Sequence, residues 1–334
     1  MSSFQHHMFA HCESGAVTAQ LNHTGLDITE AMVFGISGGI FFGYFNFPTM
    51  DFPTFVLRNQ PTKIRKAVAK RLGIRMVSRK FKTPQQGMEA LDQLLEKGVP
   101  IGVQVDFFFM NYIPSYARAH FNAHYINVVG RDDKGYLVSD AYSPTIARVD
   151  PETLARARSV RGQFAPKNLL FYTESIPAEI DYRAAIRGGI KQAVFNMLRI
   201  PAPFLGVRGI RYLGNKILKW PELARDVEHL SHEIMMIHII LEDRGTGGGG
   251  FRFLYATFLQ EASKQIGNDE LMALSGEMME NGNRWREISL FVARIGKKRD
   301  LGQQKLLELR EMLFERAAVE KELFGRLKRI AKKI

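Results

Sequence analysis

The chain has 334 residues, 46% of them hydrophobic and 24% charged, with 46 Lys and Arg against 34 Asp and Glu for a net charge of +12. That composition is globular and the length suits about two domains, which excludes a disordered, collagen-like or fibrous chain. The single cysteine excludes an intrachain disulfide framework and a thiolate-built zinc or iron–sulfur site.

The opening residues, MSSFQHHMFAHCES, lack the basic and apolar regions of a secretory signal, so a reducing, cytoplasmic setting is expected. Residues 12–24 read as a helix that starts just after a small-residue turn. Residues 31–50 are uncharged and long enough to cross a bilayer. Their four glycines, Asn46 and Pro48, and their scattered aromatics instead fit a buried, glycine-interrupted core segment, and no membrane span is expected. Residues 62–73 and 84–97 read as helices, the second stopped by Gly98-Val99-Pro100. Short β-rich runs follow at 101–108, 125–129, 136–139 and 169–172. The turn-forming cluster 130–135 predicts a hairpin between the second and third runs. From about residue 180 the pattern is helical, punctuated by Pro201, Pro203, Pro221 and glycines at 245 and 247–250. Residues 301–330 form an amphipathic helix with Leu309, Leu313, Leu323, Leu327 and Ile330 on one face. That face suits either a homodimer contact or the finish of a helical core. The architecture expected is an α+β domain over residues 1–175 followed by an all-α domain over 176–334.

Cys12 heads the first helix. There, unpaired backbone N–H groups and the positive end of the helix dipole favour a thiolate and bind a developing oxyanion. The bland alternative is a small buried hydrophobe. His124 opens one strand of the hairpin and Asp140 closes the other, which supplies an imidazole to move a proton and a carboxylate to orient it. A hairpin closing symmetrically on Asp133 and Lys134 sets Asp140 opposite Asn127, three residues from His124. A bulge, an asymmetric turn or strong twist is needed to bring the two together. His120 is the rival base, expected in the loop before the strand. Asp106, at the end of run 101–105, is placed either at the acceptor amine or as an alternative orienter. His11 adjoins the cysteine and is expected to cap or orient. His6, His7 and His11 lack a further ligand that completes a metal site. Glycines 247–250 lack the Lys-Ser/Thr and the preceding strand of a phosphate loop. They read as a flexible connection, or as a lid in which Arg252 meets a donor's phosphate. Between Arg58 and Lys82 there are ten basic residues and no acidic one. This suits an acidic partner, or simply a solvated helix face, and between Arg58 and Lys80 it lacks the interleaved aromatics of a nucleic-acid surface.

His11-Cys12-Glu13, Asn22-His23-Thr24-Gly25-Leu26, Thr29 to Gly35, Val103 to Asp106, Tyr112, Pro114, His124 to Gly130 and Ser139-Asp140 together resemble the N-terminal domain of the butirosin biosynthesis protein H family. Gly245 to Arg252, with Leu254-Tyr255-Ala256 and Phe258-Leu259, resembles the helical domain that accompanies it. The resemblance implies a papain-like cysteine fold, similar to bacteriocin-processing peptidases, with catalytic order Cys, His, Asp. Cys12, His124 and Asp140 fall on those positions. It also implies an acyltransferase that moves an acyl group from an acyl carrier protein thioester to a small-molecule amine. Glu13, His11, Asp106 and Arg252 are then candidate substrate contacts. No resident cofactor is implied, since phosphopantetheine arrives on the donor. A cysteine peptidase or amidase of the same fold, and a non-catalytic module binding an acidic protein or a membrane surface, are the alternatives.

Overall fold

The computed structural model describes residues 4–334. Helices α1 (Cys12–His23) and α2 (Glu30–Ser37) are followed by a hairpin of β1 (Ile40–Phe45) and β2 (Thr54–Arg58). Next come α3 (Lys63–Leu72), β3 (Arg75–Arg79), α4 (Pro84–Leu95), β4 (Ile101–Val105), β5 (His124–Asp132), β6 (Gly135–Ser139), β7 (Ala147–Val149), α5 (Pro151–Ser159) and β8 (Leu170–Ser175). The remainder is helical: α6 (Tyr182–Val194), α7 (Gly206–Ile217), α8 (Trp220–Leu223), α9 (Val227–Glu242), α10 (Arg252–Ile266), α11 (Asp269–Lys298) and α12 (Gln303–Lys333).

The α+β class and the helical second half are as expected, but the division of the chain is not a single cut near residue 175. Among the described residues, one compact unit comprises 4–33 and 61–180, and the other comprises 34–60 and 181–334. The uncharged stretch 31–50 accounts for the difference. It folds as most of α2 and then β1, whose strand pairs with β2. Among the described residues no helix is long and apolar enough to cross a membrane.

In the first unit six strands pair antiparallel in the order β3-β8-β4-β5-β6-β7. Val103, Val105, Ile126, Val128 and Leu170 of the sheet pack with Leu91 of α4 and Leu154 and Ala157 of α5 in one buried cluster. Each fully buried Leu or Val there contributes roughly 1.5–3 kcal/mol, which is what fixes the sheet's two faces. Local signals start and stop the helices. Thr83 accepts the Gln86 N–H ahead of Pro84, and Asp150 accepts the Thr153 N–H ahead of Pro151. Helix α1 is tied to the sheet by polar side chains. Asn127 donates to the Ala16 carbonyl, and Gln20 donates to Asn127 Oδ1 and to the Phe171 carbonyl.

The second unit holds the β1–β2 hairpin and helices α6–α12. Trp285, Phe258, Tyr255 and Phe324 are fully buried in it. The apolar stripe of α12 (Leu309, Leu313, Leu323, Leu327, Ile330) is likewise buried, so it finishes the chain's own core, the second of its two expected roles.

Candidate active site

Cys12 is the first residue of α1, and its residue surface is 3% exposed. The helix starts there because His11, in extended backbone, accepts the Ser14 N–H on its ring Nδ1 and caps the first turn. The small residues that follow have a steric reason. A Cβ on Gly15 would lie 2.5 Å from Phe9 Cβ, so the approach of residues 4–10 requires glycine. Residues 6–9 in turn run along the segment after β6. His6 contacts Ser139 Oγ and the Ser143 carbonyl, and the Phe9 N–H donates to the Ala141 carbonyl. His6 is thus engaged by polar groups of that loop.

His124, the first residue of β5, pairs with Val105 of β4. Its Nε2 lies 2.7 Å from Asp140 Oδ2, and both residues are 1% exposed. The register expected from a symmetric hairpin is corrected by a bulge. Asp132 pairs with Gly135, but between Gly130 and Val128 the register shifts, so Asn127 pairs with Ser139. Continuing that register sets Asp140 opposite Ile126, two residues from His124 and therefore on the same face of the sheet. The Asp140 carboxylate also accepts the Tyr112 hydroxyl (2.6 Å) and the Tyr142 N–H (3.1 Å). Phe107 meets the imidazole edge-on and Tyr142 stacks on it, with ring centroids 4.8 and 5.5 Å away. The ring is thus fixed in both plane and direction.

Electrostatics follow from this packing. Burial opposes the His124 charge, but Asp140, through its charge and its hydrogen bond, outweighs it, and a hydrogen bond and charge from Cys12 add to the effect. His124 is pushed up to about 10. Burial likewise works to raise Asp140, and the His124 charge with the three hydrogen bonds holds it below the usual carboxylate range. Tyr112, buried beside that carboxylate, is driven well above the usual phenol range. With Nε2 on Asp140, the imidazole's Nδ1 is the nitrogen left for the sulfur. Cys12 Sγ also lies 3.9 Å from the Ala123 carbonyl and 4.0 Å from His11 Nε2.

The other expected residues are placed differently. Glu13 is fully buried, and its two oxygens accept the N–H groups of Thr62 and Arg65, so it fastens the start of α3 and does not reach substrate. Asp106, also fully buried, accepts the N–H groups of Phe108 and Phe121 and holds His120 Nδ1 at 2.7 Å. It staples the loop between β4 and β5, and no oxygen of it is exposed to an acceptor amine. His120, paired to Asp106 with a 65% exposed side chain, is separate from the His124–Asp140 pair. Arg252 is fully buried within the second unit. It forms a two-pronged ion pair with Glu320 (2.9 and 3.1 Å), stacks over Trp285, and donates to the Gly250 carbonyl. A guanidinium so enclosed cannot meet a donor's phosphate, which overturns that expectation. The glycine run is likewise built into the unit: Gly247–Gly250 all take positive φ, and a Cβ on Gly249 would lie 3.0 Å from the Gly282 carbonyl.

The sequence reading gave no role to three residues: Tyr112, whose hydroxyl bonds Asp140, and Ser14 and Glu30. Glu30 Oε2 accepts the Ala10 N–H (2.8 Å), and its Oε1 accepts the His11 N–H (2.9 Å) and the Ser14 hydroxyl (2.8 Å). The hydroxyl two residues after the cysteine was the one local signal for this group.

A thiol at the head of a helix, set beside an imidazole–carboxylate pair on antiparallel strands, is the arrangement on which papain-like cysteine enzymes are built. The chain belongs to the family of the domain of unknown function DUF4872, which matches residues 152–327, more than half its length, and its residues 11–141 match the family model described as butirosin biosynthesis protein H, N-terminal. No curated protein matches the chain. Among solved structures, a C39-like peptidase from Bacillus anthracis is similar at 13% identity, with 50% of this chain and 90% of that chain covered and a TM-score of 0.34.

Proposed function

We propose that the chain is a cysteine acyltransferase. Cys12 takes an acyl group from a thioester donor, His124 relays the proton under the orientation of Asp140, and an amine of a small molecule takes the product. The buried 2.7 Å bond between His124 and Asp140, on an imidazole that also senses Cys12, carries this reading. A charged imidazole beside sulfur stabilises the thiolate, and it holds a proton for the departing donor thiol. The donor is an acidic acyl carrier protein, and phosphopantetheine arrives with it, so the chemistry needs no resident cofactor. Exposed Lys63, Lys66 and Lys70 on α3, with Arg79, Lys80 and Lys82 beyond it, support an acidic donor. The biosynthetic description of the matching N-terminal model supports a group transfer that builds a product.

Incubation with an acyl thioester, with and without amines, separates the outcomes. Transfer predicts that an amide accumulates only when amine is present. Release of free acid at the same rate in both assigns the protein to the hydrolases. A thiol that neither acylates nor alkylates faster than an ordinary cysteine returns it to a non-catalytic binding role.

A further inference from the structure

The sulfur of Cys12 lies beside two imidazoles, and the second has its own carboxyl. His11 Nδ1 lies 3.0 Å from Ser14 Oγ, which lies 2.8 Å from Glu30 Oε1, while His11 Nε2 lies 4.0 Å from Cys12 Sγ. We infer that His11, besides capping α1, donates its Nε2–H to the oxyanion that forms when Cys12 attacks a thioester carbonyl. This rests on Cys12 being the nucleophile, as proposed above.

Proton placement follows from the cap. The Ser14 backbone N–H donates to His11 Nδ1, and the Ser14 hydroxyl donates to Glu30 Oε1, so Nδ1 is the accepting nitrogen of the ring. An imidazole that accepts on Nδ1 carries its hydrogen on Nε2, the nitrogen nearest the sulfur. Four ångströms is too long for that N–H to bond the sulfur well. An oxygen on the carbon attached to sulfur lies two bonds further out, within reach of such a donor.

The step balances without an outside reagent. The thiol proton passes to His124, and the thiolate forms a C–S bond while the carbonyl π pair moves onto oxygen, where Nε2–H meets it. The pair then returns, the donor C–S bond breaks, and the donor thiolate takes the proton from His124. His11 gives up no proton at any point. His124 acts on the thiol and the leaving group, and His11 on the oxygen.

The test compares two reactions of the same sulfur. Alkylation by iodoacetamide forms no oxyanion, whereas acylation by a small acyl thioester does. His11→Asn keeps a strong helix-capping side chain but has no N–H at the position of Nε2. It is expected to slow acylation by about 10²–10³-fold and to leave alkylation unchanged. Ser14→Ala, which cuts the link to Glu30, is expected to show the same split at smaller size and serves if the first variant fails to fold. Equal acylation by variant and wild type overturns the inference. So does an equal loss of acylation and alkylation, which assigns His11 to holding the thiol. A wild-type protein that is never acylated removes the proposed function itself, and the inference falls with it.

Discussion

His124 and Asp140 meet on one face of the sheet only because β5 carries one residue more than β6 between the turn and the site. The two-residue turn at Asp133-Lys134 alone sets them an odd number of positions apart and so on opposite faces. The register shift between Gly130 and Val128 changes odd to even, and the 2.7 Å bond follows. A ladder irregularity is thus what assembles the site.

Removing the bulge should therefore undo the site and spare the sheet. Deletion of Val129 restores continuous register and turns Asp140 away from His124. Circular dichroism should retain the wild-type strand content, while acyl transfer falls by about 10⁴-fold, the scale of losing a triad partner. Retained activity in a folded deletion variant contradicts the register argument.

Asp140→Asn tests the electrostatics. Asp140 is the main reason His124 stands at about 10, and without its charge the burial of the ring lowers the imidazole. The basic limb of the pH–rate profile should move to lower pH in the variant. Stability follows the same signs. The raised His124 contributes fully below its ordinary 6.5, and the contribution fades as pH rises through about 10. The lowered Asp140 contributes above its ordinary 3.8 and fades as pH falls through its folded value. Denaturant melts of wild type and variant should differ most between those two ordinary values and converge toward pH 10.

Arg252 is a structural residue of the helical unit. Glu320 accepts from Arg252, Asn281 and Trp285, and both members of the ion pair are fully buried. Arg252→Ala leaves a carboxylate without its cation and should cost about 3–5 kcal/mol in urea unfolding. The KM for a carrier-bound donor, measured on the folded fraction, should stay at the wild-type value.

The exposed lysines of α3 should matter for the donor and not for the chemistry. Reversing Lys66 and Lys70 to Glu should raise KM for an acidic protein thioester, and most strongly at low salt. The rate with a small, uncharged thioester should not change. Arg65, in the same segment, is buried over the Phe171 ring and is no part of that surface.

What could be read in advance divides along physical lines. Cys12 at a helix start and the hairpin that holds His124 and Asp140 follow from local turn and capping chemistry, which a sequence carries within a few residues. The parity problem between His124 and Asp140 was also legible, as was the kind of irregularity that solves it. The roles of Tyr112 and Glu30 were not, because their bonds to Asp140 and to the Ala10-His11 segment join residues far apart in the chain with no periodic signal. Glu13 and Arg252 misled for a related reason. A charged residue beside a cysteine or a glycine run reads as accessible, and only the packing shows the carboxylate on the α3 N–H groups and the guanidinium on Glu320. The hairpin at 40–58 was hidden because aromatics and glycines leave no alternation to separate a strand from a buried helix.

The most direct measurement is the mass of the intact protein after brief exposure to an acyl thioester, with the site located by peptide mapping, in wild type and in His124→Asn. The account predicts a single acyl adduct on Cys12 in the wild type, formed at least about 10⁴-fold more slowly in the variant. Equal acylation of both proteins, or an adduct at a residue other than Cys12, would contradict it.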